Sequence, residues 1–386
     1  MKNIWIISGE ESGDIYGAAL ALELKAIAAE RGEELRLSGM GGKRMIAAGV
    51  DVQVDATELG VMGVFEISML IFTLIGVYFK LINAAKRERP DAVVLIDYPG
   101  MNLRLARALH KSGIPVVWYV SPQIWVWNKR RKPVLARVCT RMLVIFPFEV
   151  EVYSDTKLPT EFVGHPLIDI VKARTDPGIV RDADTVLLLP GSRKMEINRL
   201  LPSMLATVVK LKARHPELKF HLSAPREKIG ALCRKTIDKF RRRHPDAPEV
   251  ELSVGDTGYW LQRAGTGIAA SGTITVEAAI AGLPLVTGYR LHSFTLLLAA
   301  GLVRLYRGFF VMPNIIAGRE IFKEFLQWRF APKNLVPALE EILPGGERRA
   351  EVEAGMAEVR NALSARSGNA ARQAALACYE VAEKGK

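Results

Sequence analysis

The chain has 386 residues, 49% of them hydrophobic, and a formal net charge of +12. That length is more than one hydrophobic core comfortably serves, and the composition excludes a disordered chain, so two globular domains are expected. The positive balance points to a partner carrying phosphate, while Cys139, Cys233 and Cys378 are too few and too scattered for a disulfide framework or a metal site and read as buried thiols of a cytoplasmic protein.

From the N-terminus, Lys2 to Ile7 reads as a buried strand, Ser8 to Gly13 as a glycine-containing turn and Asp14 to Ala29 as a helix, the opening of a doubly wound α/β fold. The apolar run Ile4 to Ile7 is too short for a signal peptide and is followed at once by Glu10, Glu11 and Asp14. Small residues in the turn, Ser12 and Gly13 among them, allow a ligand close to the backbone, although the Gly-x-Gly-x-x-Gly fingerprint is absent. Leu35 to Ser38 supplies a second strand. Ile67 to Phe79 is about thirteen residues without a charge, against the roughly twenty that span a bilayer. Closed by Glu66 and Lys80 and followed by Lys86, Arg87 and Arg89, it suits either an interfacial helix on anionic lipid or a buried core helix.

Asp91 to Asp97 is an apolar strand ending on a carboxylate. Ligands of open α/β sheets bind at the carboxyl ends of the strands, so Asp97 is a candidate general base, with helix capping or an ion pair to Arg104 as the structural alternative. Asn102 is expected to cap the helix beyond it. Pro115 to Val120 is a further strand, after which Ser121, Trp125 and Trp127 precede Lys129 to Lys132, a pattern that fits an anionic sugar, a lipid interface, stacked bases or simply a packed tryptophan. Met142 to Phe146 is another strand, and His165, between Gly164 and Pro166, reads as a turn residue.

The polar stretch Lys172 to Asp184 is the expected linker. Beyond it, Thr185 to Leu189 is a strand, Pro190-Gly191-Ser192-Arg193 a second anion-binding turn in which Arg193 can neutralise a diphosphate, and a helix runs to about Arg214. The turn lacks the Gly-Lys-Ser/Thr ending of a P-loop, which disfavours a nucleoside triphosphatase. Strands come next at Lys219 to Ser223, Val250 to Val254 and Gly267 to Ala270, with a strongly basic helix between the first two. Ser271, Gly272 and Thr273 then turn into a helix whose free N–H groups and dipole form an anion site, and Glu277, about one turn later, can accept hydrogen bonds from sugar hydroxyls; an ordinary capped helix with a solvated Glu277 is the alternative. Phe294 to Val303, with Arg304 and Arg307, is a second apolar run that suits contact with lipid. Asn314, Glu324 and Gln327 lie further on, the last two expected on a helix, and Asn314 and Gln327 are suited to reading hydroxyls and amides, with a structural role as turn and helix residues as the alternative. Glu347 to Lys386 is a charged helical tail expected to pack back on the first domain.

Assembled in order, these blocks resemble the lipid-A-disaccharide synthase family along nearly the whole chain. The matching residues are Ser8-Gly9-Glu10-Glu11-Ser12-Gly13-Asp14, Met62 to Glu66, Ile96-Asp97 with Asn102, Tyr119-Val120-Ser121-Pro122 with Trp125 and Trp127, and Phe146-Pro147-Phe148-Glu149. The series continues with Gly164-His165, Leu189 to Arg193, Ser271-Gly272-Thr273 with Glu277, Gly288-Tyr289-Arg290, and Pro313-Asn314 through Arg319 to Gln327. Departures from the family pattern are Glu11 in place of a small residue and Gly100 where an acidic residue is usual.

The resemblance implies an α/β protein of two doubly wound Rossmann-like domains facing a cleft, the GT-B type, with residues 1–171 facing acceptor and membrane, 185–345 binding the UDP-sugar and 346–386 forming the tail. It implies an inverting hexosyltransferase joining UDP-diacylglucosamine to diacylglucosamine phosphate, with no metal and no cofactor. Asp97 would be the base. The implied substrate-binding set is Glu10, Ser12, Gly13, Asn102, Ser121, Arg193, Ser271, Gly272, Thr273, Glu277, Tyr289, Arg290, Asn314, Arg319 and Gln327. Peripheral contact with an anionic membrane on the cytoplasmic face of the inner membrane is implied, and a homodimer is left open. Two rivals are a non-hydrolysing UDP-sugar epimerase of similar fold, which would need no apolar surface, and a basic nucleic-acid-binding protein, which the scatter of the cations and the lack of any nucleic-acid module disfavour.

Overall fold

The computed structural model describes residues 1–55, 67–125, 129–290 and 308–384, so the Met62 to Glu66 block, Trp127 and the Phe294 to Val303 run with Arg304 and Arg307 lie outside the described residues. The chain divides into two compact units, Met1–Pro166 with Leu363–Lys386, and Leu167–Ala362. The changeover therefore falls at Pro166, ahead of the polar stretch expected to be the linker. That stretch belongs to the second unit, where Asp176 N donates to Gln262 Oε1 at 2.9 Å.

The first unit is built on a parallel sheet of β1 (Lys2–Ser8), β2 (Leu35–Gly41), β3 (Asp51–Asp55), β4 (Ala92–Ile96), β5 (Val116–Tyr119), β6 (Arg141–Val144) and β7 (Thr160–Phe162), in the order β3-β2-β1-β4-β5-β6-β7. Its central strands are continuous apolar runs: every residue of β4 and of β5 is buried. A strand reads this way when helices cover both faces of a parallel sheet. The chain winds outward from β1 to β3, then returns to pair β4 with the free side of β1. That reversal opens a crevice beyond the carboxyl ends of β1 and β4, the position where doubly wound sheets bind ligands.

The second unit repeats the arrangement with β8 (Asp182–Leu189), β9 (Lys219–Ala224), β10 (Glu251–Val254), β11 (Ala264–Ala270), β12 (Leu285–Tyr289) and β13 (Glu324–Leu326), ordered β10-β9-β8-β11-β12-β13 and again parallel. Its crevice lies beyond β8 and β11. The charged tail is two helices, not one. Arg349–Leu363 lies almost entirely in the second unit, whereas Ala370–Lys384 packs in the first against the Glu11–Glu30 helix, held by Asn369 Nδ2 to Glu23 Oε1 at 2.9 Å.

The apolar segment from Ile67 is part of a longer helix, Ile67–Glu88, that carries Lys86 and Arg87 in its last turn. Ile75 and Phe79 on it stand in solvent at 46% and 56% exposure, while Leu81, Ile82, Ala84 and Ala85 enter the core. No described helix is long and apolar enough to cross a membrane. All three cysteines are free and buried, and burial pushes the thiols up, to about 12 for Cys139 and about 11 for Cys233.

Candidate active site

In the first unit the crevice is lined by the residues just past each strand. Glu10, beyond β1, is the N-cap position of the Glu11–Glu30 helix and its side chain is exposed. Ser12 and Gly13 lie in the first turn of that helix and not in the turn before it. Gly13 is buried where a Cβ would meet Ser8 Oγ, so it has a packing reason to be glycine. Asp14 is a scaffold residue whose carboxylate accepts from Gly42 N at 2.6 Å, Arg44 N at 3.0 Å and Met45 N at 3.2 Å, capping the short helix beyond β2.

Asp97 and Tyr98 follow β4 with φ of 46° and 47°, left-handed backbone that non-glycine residues adopt at a cost of order 1–3 kcal/mol each. Asn102 is not the helix cap expected of it. It sits inside the Pro99–Lys111 helix, fully buried, and donates Nδ2 to the carbonyls of Asp97 at 2.7 Å and Ile96 at 3.2 Å, which fixes the strained turn from below. Nor does Arg104 form an ion pair with Asp97. Burial and the neighbouring Glu10 charge raise the Asp97 carboxyl to about 6, partly offset by the Tyr98 N–H donated to it. A carboxylate poised there is ionised at neutral pH yet basic enough to take a proton.

Ser121, after β5, is buried with Oγ 2.9 Å from Tyr153 Oη, so it braces the crevice floor. The residue patterns alone left Glu149 out of the site. This carboxyl is 1% exposed, accepts from Phe146 N at 3.3 Å and Trp125 Nε1 at 3.4 Å, and is raised to about 8 by burial, with the Asp97 charge adding to the shift. It is protonated at neutral pH. Its only sequence signal was its place in the Phe-Pro-Phe-Glu block after a strand. His165 is buried against Phe146, and burial lowers its imidazole to about 3, which leaves it neutral.

In the second unit, Arg193 after β8, Ser271 to Thr273 after β11, Tyr289 at the end of β12, Arg290 just past it and Gln327 after β13 all fall at the carboxyl edge of neighbouring strands. The two turns expected to bind an anion differ. At the first, the Glu196 carboxylate already accepts from Ser192 N at 3.1 Å and Arg193 N at 3.3 Å and pairs with the Arg193 guanidinium at 3.1 Å, so these amides are occupied from within. At the second, the Thr273–Ala281 helix has no side-chain cap, and the N–H groups of Gly272, Thr273 and Ile274 have no acceptor among the described residues. Thr275 Oγ1 and N both bond back to the Gly272 carbonyl, which fixes the turn and aims those amides outward. Glu277 is partly buried, and desolvation raises its carboxyl against the lowering charge of Arg174.

Other expected ligand residues serve the scaffold. Arg290 gives its donors to the carbonyls of Phe330 at 2.6 Å, Arg199 at 2.8 Å and Gln327 at 3.0 Å. Asn314 is fully buried and saturated, donating to Phe322 O and Glu324 Oε1 at 2.7 Å each and accepting from Ile321 N and Phe322 N. Arg319 pairs with Glu358 at 2.7 Å, away from the strand ends. Glu324 does not lie on a helix, since it opens β13, whereas Gln327, with φ 55°, comes directly after that strand and opens a single 3-10 turn, Gln327–Arg329.

The family model for lipid-A-disaccharide synthetase matches residues 4–378. The chain is 36% identical over 393 residues to lipid-A-disaccharide synthase of Koribacter versatilis, covering 100% of both chains, and 35% identical over 391 residues to that of Coxiella burnetii, covering 98% of both. Among solved structures it is similar to a UDP-GlcNAc 2-epimerase from Neisseria meningitidis bound to UDP-GlcNAc, with TM-score 0.64 at 13% identity over 100% of both chains. It is also similar to the calicheamicin glycosyltransferase CalG4, with TM-score 0.58 at 16% identity over 100% of this chain and 99% of that one. At those identities the likeness is one of fold, so the epimerase is a neighbour in architecture alone. The ordered match over nearly the whole length is of a different kind, and by it this chain belongs to the lipid-A-disaccharide synthetase family, glycosyltransferases of lipid A disaccharide synthesis built on two parallel-sheet α/β domains.

Proposed function

We propose that the chain transfers the sugar of UDP-diacylglucosamine to diacylglucosamine phosphate with inversion, releasing UDP and lipid A disaccharide phosphate. Asp97 takes the proton of the acceptor's primary hydroxyl, the oxygen forms a bond to the donor's anomeric carbon, and the bond from that carbon to the β-phosphate oxygen breaks, its electron pair leaving on UDP. In the second unit the outward N–H groups of Gly272, Thr273 and Ile274 receive the diphosphate, where helix-terminal donors stabilise the charge that develops. Arg193 reaches the same anion once it gives up Glu196, Glu277 accepts from donor hydroxyls, and Ser271, Tyr289 and Gln327 complete the edge. Arg290, Asn314 and Arg319 hold the elements that carry this edge. In the first unit Glu10 tunes Asp97, while Ser12, Gly13, Asn102 and Ser121 shape its surroundings.

The observation that carries this reading is the Asp97 carboxyl at the β1–β4 reversal, raised to about 6. Ile75 and Phe79, exposed on the Ile67–Glu88 helix, support peripheral contact with the cytoplasmic face of the inner membrane, from which acylated substrates are drawn. Incubating the purified chain with both acylated sugars and analysing by mass spectrometry tests the reaction. Disaccharide phosphate and UDP in equal amounts are expected; folded protein that yields neither contradicts it.

A further inference from the structure

Lined in part by Tyr98, the residue after Asp97, a cavity of about 970 Å³ lies in the first unit between the Ile67–Glu88 and Pro99–Lys111 helices. Its two walls have opposite chemistry. Leu74, Ile75, Tyr78 and Phe79 form the wall from the first helix, whereas Arg104, Arg107 and Lys111 stand on the second. Spacings of three and four residues put these cations on one helix face. Gly100 begins the same row four residues earlier, and a Cβ there would meet nothing within 4 Å, so the row opens freely next to Tyr98. All three cations are exposed, and among the described residues no acidic side chain lines the cavity and none of the three has an ion-pair partner. Like charges three and four apart on a helix repel one another, and a bound anion relieves that repulsion.

We propose that this cavity is the acceptor's phosphate and acyl subsite: Arg104, Arg107 and Lys111 hold the phosphomonoester, and an acyl chain lies against Leu74 and Tyr78. The proposal rests on the reading of the acceptor as an acylated sugar phosphate. A sugar whose hydroxyl meets Asp97 must turn its phosphate away from the carboxylates of Asp97 and Glu10, and the cation row stands on the helix that begins at Pro99, two residues after Asp97. Guanidinium groups suit a phosphate because their paired donors match its oxygens. Lining of one side by apolar groups and the other by cations is the complement of one molecule that is acylated and phosphorylated at once. Gly100 is then a specificity position, since any side chain there narrows the passage between Asp97 and the row.

The test compares equilibrium binding and turnover of a short-chain diacylglucosamine phosphate and its dephosphorylated counterpart in monodisperse detergent. The wild-type chain is expected to bind the phosphorylated form at least ~30-fold more tightly, and R104A/R107A to bind the two alike while UDP affinity stays unchanged. Leu74→Ser with Tyr78→Ser is expected to weaken the diacyl ligand and leave unacylated glucosamine phosphate unaffected. R104A/R107A that keeps the wild-type preference, or loses both ligands equally, overturns the proposal. So does a variant that loses binding only to vesicles containing phosphatidylglycerol while its preference in detergent persists, because the row would then serve the membrane. If the wild-type chain prefers the phosphorylated ligand but makes no disaccharide, the transferase reading fails and the subsite stands. If the wild type binds and turns over both acceptors equally, the subsite fails and the transferase reading stands.

Discussion

Asn102, buried in the helix after β4, donates to the carbonyl of Asp97 at 2.7 Å and so holds the proposed base in a left-handed turn. Removing that donor leaves two inward carbonyls, of Ile96 and Asp97, without their partner. Asn102→Ala is expected to cost about 1–3 kcal/mol in denaturant unfolding and to lower kcat far more than it changes the affinity for UDP, because the turn that aims the carboxylate relaxes. Urea titration and steady-state kinetics on one preparation read both effects. Unchanged kcat in the variant would separate the turn from catalysis.

Acid inactivation is expected to have its origin in the same carboxylate. A base must be ionised, so kcat/KM is expected to fall below about pH 6 with a slope of one. Glu10 holds the value up through its negative charge, and Glu10→Gln therefore moves the acid limb to lower pH. A limb that stays in place after this substitution assigns it to another group.

Glu149 makes a separate prediction about stability. The folded carboxyl keeps its proton to about pH 8, whereas the unfolded one releases it near the ordinary value of 4.5. Between those values the native state binds more protons, so the unfolding free energy falls as pH rises through the window, by an amount on the order of a few kcal/mol. Glu149→Gln, which imitates the protonated acid, is expected to flatten that dependence. Chemical denaturation at a series of pH values shows whether the slope disappears.

The Gly272 turn can be tested with little disturbance to the fold. Thr273 is the first residue of its helix, where proline is well tolerated, so Thr273→Pro deletes one outward N–H and keeps the helix. UDP affinity is expected to fall about tenfold, read by calorimetric titration, with thermal stability nearly intact. By contrast Arg290→Ala strands three carbonyls and is expected to lower the melting temperature by about 5 °C or more. Loss of UDP binding without loss of stability in that variant would return Arg290 to the ligand.

The strands that carry the site were legible because β1, β4, β5 and β8 are apolar runs closed by turn residues or a carboxylate, and a parallel sheet buried on both faces requires such runs. Strands β3, β7 and β13 were not, since Asp51–Asp55 is a charged edge segment and the other two are three residues long, too short for any period to register. Asp97 was visible from its place at a strand end. The scaffold roles of Arg290 and Asn314 were not, because a guanidinium or amide that serves distant carbonyls looks the same in sequence as one that serves a ligand. Glu149 escaped for a related reason: its raised carboxyl comes from burial among Phe146 and Trp125, which only the folded chain brings around it.

The central claim, that Asp97 is the base, is tested most directly by Asp97→Asn assayed for donor binding and turnover together. UDP affinity within about twofold of wild type with kcat reduced at least ~100-fold is the expected result. Turnover close to wild type, with product verified by mass spectrometry, would contradict that role.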